Sequence, residues 1–311
     1  MLLRYVAWRL TLMVPVVLGV TLLVFFSIHM VPGSPAYVFL GEHATKASVA
    51  AFNQEWGLNR PVPVQYWLYL DRLFHGNFGE SLIYEASVAS LIVSRLPVTL
   101  YLLIGGAVLS ILIAVPLAAI AAVRSGKIAD QIIRFVGTAG LGMPSFWVGT
   151  TLIILLGLVF PLFPVGGYGN GFWGHLHSMF LPCLTIGISI APMLLRSLRT
   201  SLIDALGSDY VAFARAKGTS ARAELFQYSF RNALIAAVSV LGINIGFLVG
   251  STVIIENVFA LPGLGQLMIT SILSRDFPVV QGITIVFSVV VILVYLLTDV
   301  AYALLDPRVR L

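Results

Sequence analysis

FVGTAGLGMPSFWVGTTLIILLGLVFPLFPVGGYGNGFWGHLHSMFLPCLTIGISIAPMLL, residues Phe135–Leu195, is a single run free of aspartate, glutamate, lysine and arginine. A helix that crosses a bilayer needs roughly 20 apolar residues, at ~1.5 Å rise over a ~30 Å core. This run is long enough for more than one crossing. Its middle, Pro161-Leu-Phe-Pro164 followed by Gly166-Gly-Tyr-Gly-Asn-Gly171, cannot continue a helix and reads as a loop. The expectation is two helices, near 135–160 and 181–198. Four further charge-free stretches, Leu10–Met30, Leu96–Val123, Ala233–Ile255 and Phe277–Thr298, each hold one more. The reading is an all-α membrane protein of about six transmembrane helices, because lipid forces every backbone polar group to pair within its own segment.

Composition agrees. Of 311 residues, 59% are hydrophobic and 10% charged, against about a quarter charged in a soluble domain. In water such a chain would expose large apolar patches and aggregate. The one cysteine, Cys183, excludes an intramolecular disulfide framework and a cysteine-built zinc or iron–sulfur site.

Basic residues set the orientation. With the N-terminus in the cytoplasm, the inner segments carry 13 of the 18 lysines and arginines, among them Arg124, Lys127, Arg134, Arg196, Arg199, Arg215 and Lys217. The outer ones are Lys46, Arg60, Arg72, Arg95 and Arg275. Both termini are therefore expected to be cytoplasmic. The net charge of +5 is mostly an insertion signal and calls for no nucleic-acid partner. The first apolar stretch exceeds the usual length for a signal peptide, and Val31-Pro-Gly-Ser-Pro35 is a poor cleavage site, so an uncleaved anchor is expected.

Three regions follow: 1–31, tail and first helix; 32–95, an extracytoplasmic segment of short helices; and 96–311, a five-helix core containing a cytoplasmic segment, 199–232. The outer segment, broken at Pro61-Val-Pro63, reads equally as a lid or docking surface and as a packed connector. In the inner one, Ser208 can cap a helix running through Ala212, Ala214, Arg215, Ala216 and Lys217, and Gly218 supplies a left-handed stop. Thr219 or Ser220 can cap a second helix. Tyr210, Phe213 and Ala214 make an apolar stripe beside a basic one. Such a helix-turn-helix suits either docking of a soluble partner or rest on anionic headgroups.

The spans are nearly bare of ionisable groups. Glu256, Asp299 and His29 fall near helix ends, within reach of solvent, so an ion-coupled carrier lacks its usual midplane groups. Gly242, Gly246 and Gly250 form a small-residue ridge suited to helix packing. Gly137, Gly140, Gly142 and Pro144 should kink or unwind the third helix. Lys46, Lys127 and Lys217 precede Ala, Ile and Gly, so no nucleotide-binding loop is present. HExxH, CxxC and GxSxG are absent as well. His175 and His177, with no nearby carboxylate, make a weak metal site. No catalytic residue, metal or cofactor is expected in this chain.

Ordered motifs run along almost the whole sequence: Leu18-Gly-Val-Thr-Leu-Leu-Val-Phe25, Pro32-Gly-Ser-Pro-Ala36, Arg95-Leu-Pro-Val-Thr99, Phe163-Pro-Val-Gly-Gly167, Asp209-Tyr-Val211 and Ala214-Arg-Ala-Lys-Gly218. They continue with Arg231-Asn-Ala-Leu234, Glu256-Asn-Val-Phe259, Pro262-Gly-Leu-Gly265, Pro278-Val-Val-Gln-Gly282 and Asp306-Pro-Arg308. In these the chain resembles the permease subunits of dipeptide/oligopeptide ABC importers, most closely the one of the pair with a long first outer segment. The resemblance implies the type I importer permease fold and half of a translocation pathway worked by alternating access. It implies as partners a homologous second permease, two cytoplasmic ATPases that hold ATP and Mg, and an extracytoplasmic binding protein. It gives the inner segment the role of the coupling helix, or EAA loop, with Asp209, Tyr210, Phe213, Ala214, Arg215, Lys217 and Gly218 as coupling residues. The motif's glutamate position carries Ala212, and its later Ile-x-Leu-Pro maps to Tyr228-Ser-Phe-Arg231. Glu256, Asn257 and Phe259 are candidates for the pathway or outer gate. Related permeases also serve nickel chelates, oligosaccharides and haem. From another class, an ion-coupled carrier or channel working alone is the rival reading, and a structural scaffold is a further one.

Overall fold

The computed structural model describes residues 2–29, 35–41, 44–55, 57–81, 83–220, 223–224 and 230–305. The matches at Pro32-Gly-Ser34 and Asp306-Pro-Arg308 lie outside them.

The described chain begins with α1 (Leu2–His29), then three short helices, α2 (Pro35–Leu40), α3 (Lys46–Glu55) and α4 (Val62–Phe74). A two-residue antiparallel hairpin follows, β1 (Glu80–Ser81) on β2 (Ala86–Ser87), in register Glu80 with Ser87. Short helices are what the sequence led one to expect in this segment. The hairpin interrupts that pattern where Gly79 and Glu85 take up left-handed backbone, at φ 91° and 49°.

Next come α5 (Val88–Val123), α6 (Ile128–Leu141) and α7 (Ser145–Leu152), whose helix continues with π geometry over Ile153–Val159. α8 (Gly171–Leu206) leads to the short α9 (Asp209–Ala216), and the rest is α10 (Phe230–Ile243), α11 (Ile245–Val258), α12 (Leu264–Leu273) and α13 (Phe277–Leu305). α5, α8 and α13 are each long and apolar enough to cross a membrane, and counting two bent pairs gives up to five such spans. The described apolar part of α1, Thr11–Phe26, is shorter than that measure requires.

The bends have local causes. α6 and α7 meet at 106°, where Pro144 has no amide hydrogen to donate and Gly142 ends the preceding turn. The glycine- and proline-rich stretch that predicted a kink is the site of this one. α10 and α11 meet at 63° around Asn244, so the helix expected over 233–255 is two helices. α5 begins at Val88, before the end of the charged sequence, and Arg95 within it lies over the Tyr84 ring, 5.9 Å from its centroid.

Two compact units share the chain, and neither is a continuous stretch. One holds residues 7–98 and 262–292. In it α4 rests on α1: the Tyr66 hydroxyl is 3.0 Å from that of Thr21, and the Phe25 and Tyr66 rings meet edge-on at 5.4 Å. Gln281 of α13 donates to the Val24 carbonyl at 2.7 Å, and the Ser81 hydroxyl donates to the buried Asp276 carboxylate.

The other unit holds the described residues 2–6, 99–261 and 293–305, and α8 is its centre. Of its apolar window, 72% is buried, against 28% for α5 and for α13. α6, α7, α10 and α11 all pack on it. Small residues also let α5 come close to α8: a Cβ on Gly106 would lie 2.5 Å from Ile186, and one on Gly187 would meet Leu109 at 2.9 Å.

Candidate functional site

The C-terminal end of α8 carries the first charges after its apolar run, and there Arg199 grips Asp130 of α6. Nε and Nη2 donate to the two carboxylate oxygens at 2.6 and 2.7 Å, and the Gly126 amide adds a third bond at 2.9 Å. Such a fork fixes distance and angle together. It sets the base from which the chain turns through Gly207 and Ser208 into α9.

Asp209 stands in the first turn of α9, where a carboxylate suits the positive helix end. Ser208 occupies the capping position with extended backbone, but its hydroxyl donates backward to the Ala205 carbonyl and does not cap. Gly218 ends the helix at φ 84°, a conformation that costs other residues. After it, the Ser220 hydroxyl accepts the Ala223 amide at 3.3 Å, which is a capping contact. Residues 221–222 and 225–229, and with them most of the expected second helix and the Tyr228-Ser229 match, lie outside the described residues.

The expected stripe is divided by the helix's attachment. Val211 and Ala214 are buried, at 0% and 5% exposure, and fasten α9 to its own unit. Tyr210 and Phe213 point outward, 44% and 63% exposed, and the Lys217 ammonium lies 4.4 Å from the centre of the Phe213 ring. α9 thus turns an aromatic face with an attached cation away from its own core.

Arg215, one of the expected coupling residues, is paired with Glu224: Nη2 donates to Oε2 at 2.8 Å and Nε to Oε1 at 3.2 Å. The glutamate side chain is nearly enclosed, at 6% exposure. The hydrogen-bonded guanidinium holds the Glu224 carboxyl below its ordinary value, with burial pulling the other way. This clamp across the turn at Gly218 was missed in the sequence, where an Arg and a Glu nine apart have no periodic relation.

The second group of candidates lies at the end of α11. Glu256 was expected within reach of solvent, but it is fully buried and accepts the Thr99 hydroxyl at 2.7 Å. Phe259 is 1% exposed, and its carbonyl takes the Gly167 amide at 2.9 Å. Asn257 is exposed, its amide donating to Val253 of its own helix. The structure joins Phe163-Pro-Val-Gly-Gly167 to Glu256-Asn-Val-Phe259 through that backbone bond. Asp299 is half-buried, and the His29 side chain lies outside the described residues.

Of the glycine ridge, Gly242 approaches Thr298 of α13 so closely that a Cβ would lie 2.4 Å from its methyl, while Gly246 and Gly250 have nothing within 4 Å. The break at Asn244 puts the first on α10 and the others on α11, so the three share no unbroken helix. His175 contacts the Tyr168 carbonyl and His177 that of Leu162, at 2.9 and 2.8 Å. Among the described residues no group of three His, Cys, Asp or Glu could hold a metal ion.

The family described as binding-protein-dependent transport system inner membrane component matches residues 114–311, and its N-terminal companion matches 2–103. The chain belongs to this family. The oligopeptide transport system permease protein AppB of Bacillus subtilis (strain 168) is 33% identical over 312 residues, spanning 98% of this chain and 99% of the relative. The glutathione transport system permease protein GsiC of Escherichia coli (strain K12) is 35% identical over 308 residues, 99% of each. An inward-facing structure of the MetNI methionine ABC transporter superposes with a TM-score of 0.59 at 16% identity, over 70% of this chain and 96% of that one. This binding-protein-dependent permease therefore has the type I importer fold. It is a permease subunit of an ABC importer in the bacterial plasma membrane, and works with an ATPase and a binding protein.

Proposed function

We propose that this permease forms half of the pathway of an importer of short peptides, and that α9 is the lever through which ATPase motion reaches it. The carrying observation is the outward aromatic face of Tyr210 and Phe213, flanked by Lys217, on a helix fixed from behind by Val211 and Ala214. A short helix that is buried on one side and exposed on the other can pass a push on its outer face to the unit behind it. The Arg215–Glu224 pair stiffens the turn behind it. Peptide cargo is supported by the names of the relatives, one an oligopeptide and one a glutathione permease.

The full assembly would pair this chain with a homologous permease, two ATPases holding ATP and Mg, and an extracytoplasmic binding protein. The chain itself would carry no cofactor and catalyse nothing. Six spans with both ends in the cytoplasm fit the helices: α1, α5, the bent α6–α7 pair, α8, the bent α10–α11 pair and α13. Under alternating access, ATP and the loaded binding protein act by favouring one conformation over the other.

Gly218→Pro, which cannot hold φ near 84°, and the double reversal Arg215→Glu with Lys217→Glu test the lever. Peptide uptake and binding-protein-stimulated ATP hydrolysis by the reconstituted complex should fall by about tenfold or more, within the usual range of coupling energies. The chain should still assemble in the membrane. Unchanged uptake and hydrolysis in both variants would remove α9 from this role.

A further inference from the structure

In the unit centred on α8, a cavity of about 550 Å³ opens between α6 and α8, and its lining includes Arg134, Arg196 and Arg199 with Thr138 and Thr200. Arg199 is spent on Asp130. Arg134 and Arg196 are exposed and have no ion pair among the described residues. Both oxygens of Asp130 are already taken, by Arg199 and by the Gly126 amide. The cavity therefore sets three guanidiniums and the Thr138 hydroxyl against one carboxylate, Asp130, whose two oxygens are already engaged, which leaves a surplus of two positive charges. We propose that it is a binding site for the phosphate headgroup of an anionic phospholipid, in the leaflet on the side of the basic loops.

Depth supports a lipid. α8 is free of charge from its start at Gly171 to Leu195, and Arg196 and Arg199 follow directly. A span of roughly 20 residues exhausts the hydrocarbon core, so these guanidiniums stand at the level where phosphates lie. The same cavity is lined by Leu141 and Leu195, apolar surface against which an acyl chain can lie while the arginine heads meet the phosphate. Basic pockets between helices on the cytoplasmic side hold anionic headgroups in this way.

Charge selects the class. A zwitterionic peptide would leave its ammonium without a carboxylate here, and a choline headgroup would bring a cation against two cations. A headgroup with net negative charge has neither cost, and its phosphodiester oxygens can take both guanidiniums.

The test uses the full chain in mild detergent with equal amounts of phosphatidylglycerol and phosphatidylcholine, retained lipid being counted by mass spectrometry. The wild type should keep phosphatidylglycerol selectively, and Arg134→Gln and Arg196→Gln should each cut the ratio about fivefold. Arg134→Lys and Arg196→Lys, which keep the charge, should retain most of it, and Arg124→Gln in the neighbouring loop should leave it unchanged. Three results overturn the proposal: a ratio unaffected by the Gln variants, displacement of the lipid by equimolar inorganic phosphate, or displacement by dialanine. The second would mean a free-phosphate site and the third a cargo site.

Discussion

Thr99 and Glu256 show how one hydrogen bond can reverse a reading of a residue. A glutamate near a helix end reads as solvated; here it is enclosed, and the hydroxyl of a residue distant in sequence points at it. Replacing Thr99 by Val keeps the shape and withdraws a donor from a buried acceptor, which costs about 1–3 kcal/mol. The thermal midpoint of Thr99→Val in detergent should fall clearly, and that of Thr99→Ser should stay near wild type; equal midpoints for all three would mean that the bond contributes little. Arg215 makes a similar point. Its sequence neighbours advertise a basic face, yet its charge is answered by Glu224. Because Glu224 is held below its ordinary value, the pair's contribution is present above the unfolded carboxyl pKa and is lost as pH falls through the folded one.

Among the elements, the hairpin and the start of α13 are joined by the Ser81–Asp276 bond. Burial pushes the Asp276 carboxyl up, against the lowering pull of the Ser81 hydroxyl and the Val279 amide. A folded pKa above the unfolded one means that the folded state holds the proton more tightly. The stabilising contribution is then complete below the unfolded pKa and is lost as pH rises through the raised value. Asp276→Asn keeps an acceptor for Ser81 without the charge. It should melt higher than wild type at neutral pH, and the gap should close on acidification through the raised pKa; a gap that is the same at every pH would rule this out. The hairpin could not be read from its two-residue strands, which are too short for a period to register. The 106° bend could, since Gly142 and Pro144 announce it within three residues.

For the whole molecule, the basic bias and the six proposed spans require both chain ends on one side. Tags at the N- and C-termini should be cleaved by protease in inverted membrane vesicles and protected in right-side-out ones; protection of one tag alone in inverted vesicles would mean an odd number of spans. The helical segments could be read from the sequence because lipid imposes a rule that needs no knowledge of neighbours: a long apolar run must pair its own backbone. The loop at 161–171 and the position of α9 follow from glycine and proline, which act on the chain within a turn of themselves. The sequence by itself thus determined that this is an α-helical membrane protein with a short basic helix between spans. Only tertiary structure decided that α8 is the buried centre of its unit, that Tyr210 and Phe213 face outward while Val211 and Ala214 face in, and that Arg199 is neutralised while Arg134 and Arg196 are not. Those outcomes depend on which helix faces meet, and contacts between residues far apart in the chain leave no period in the sequence.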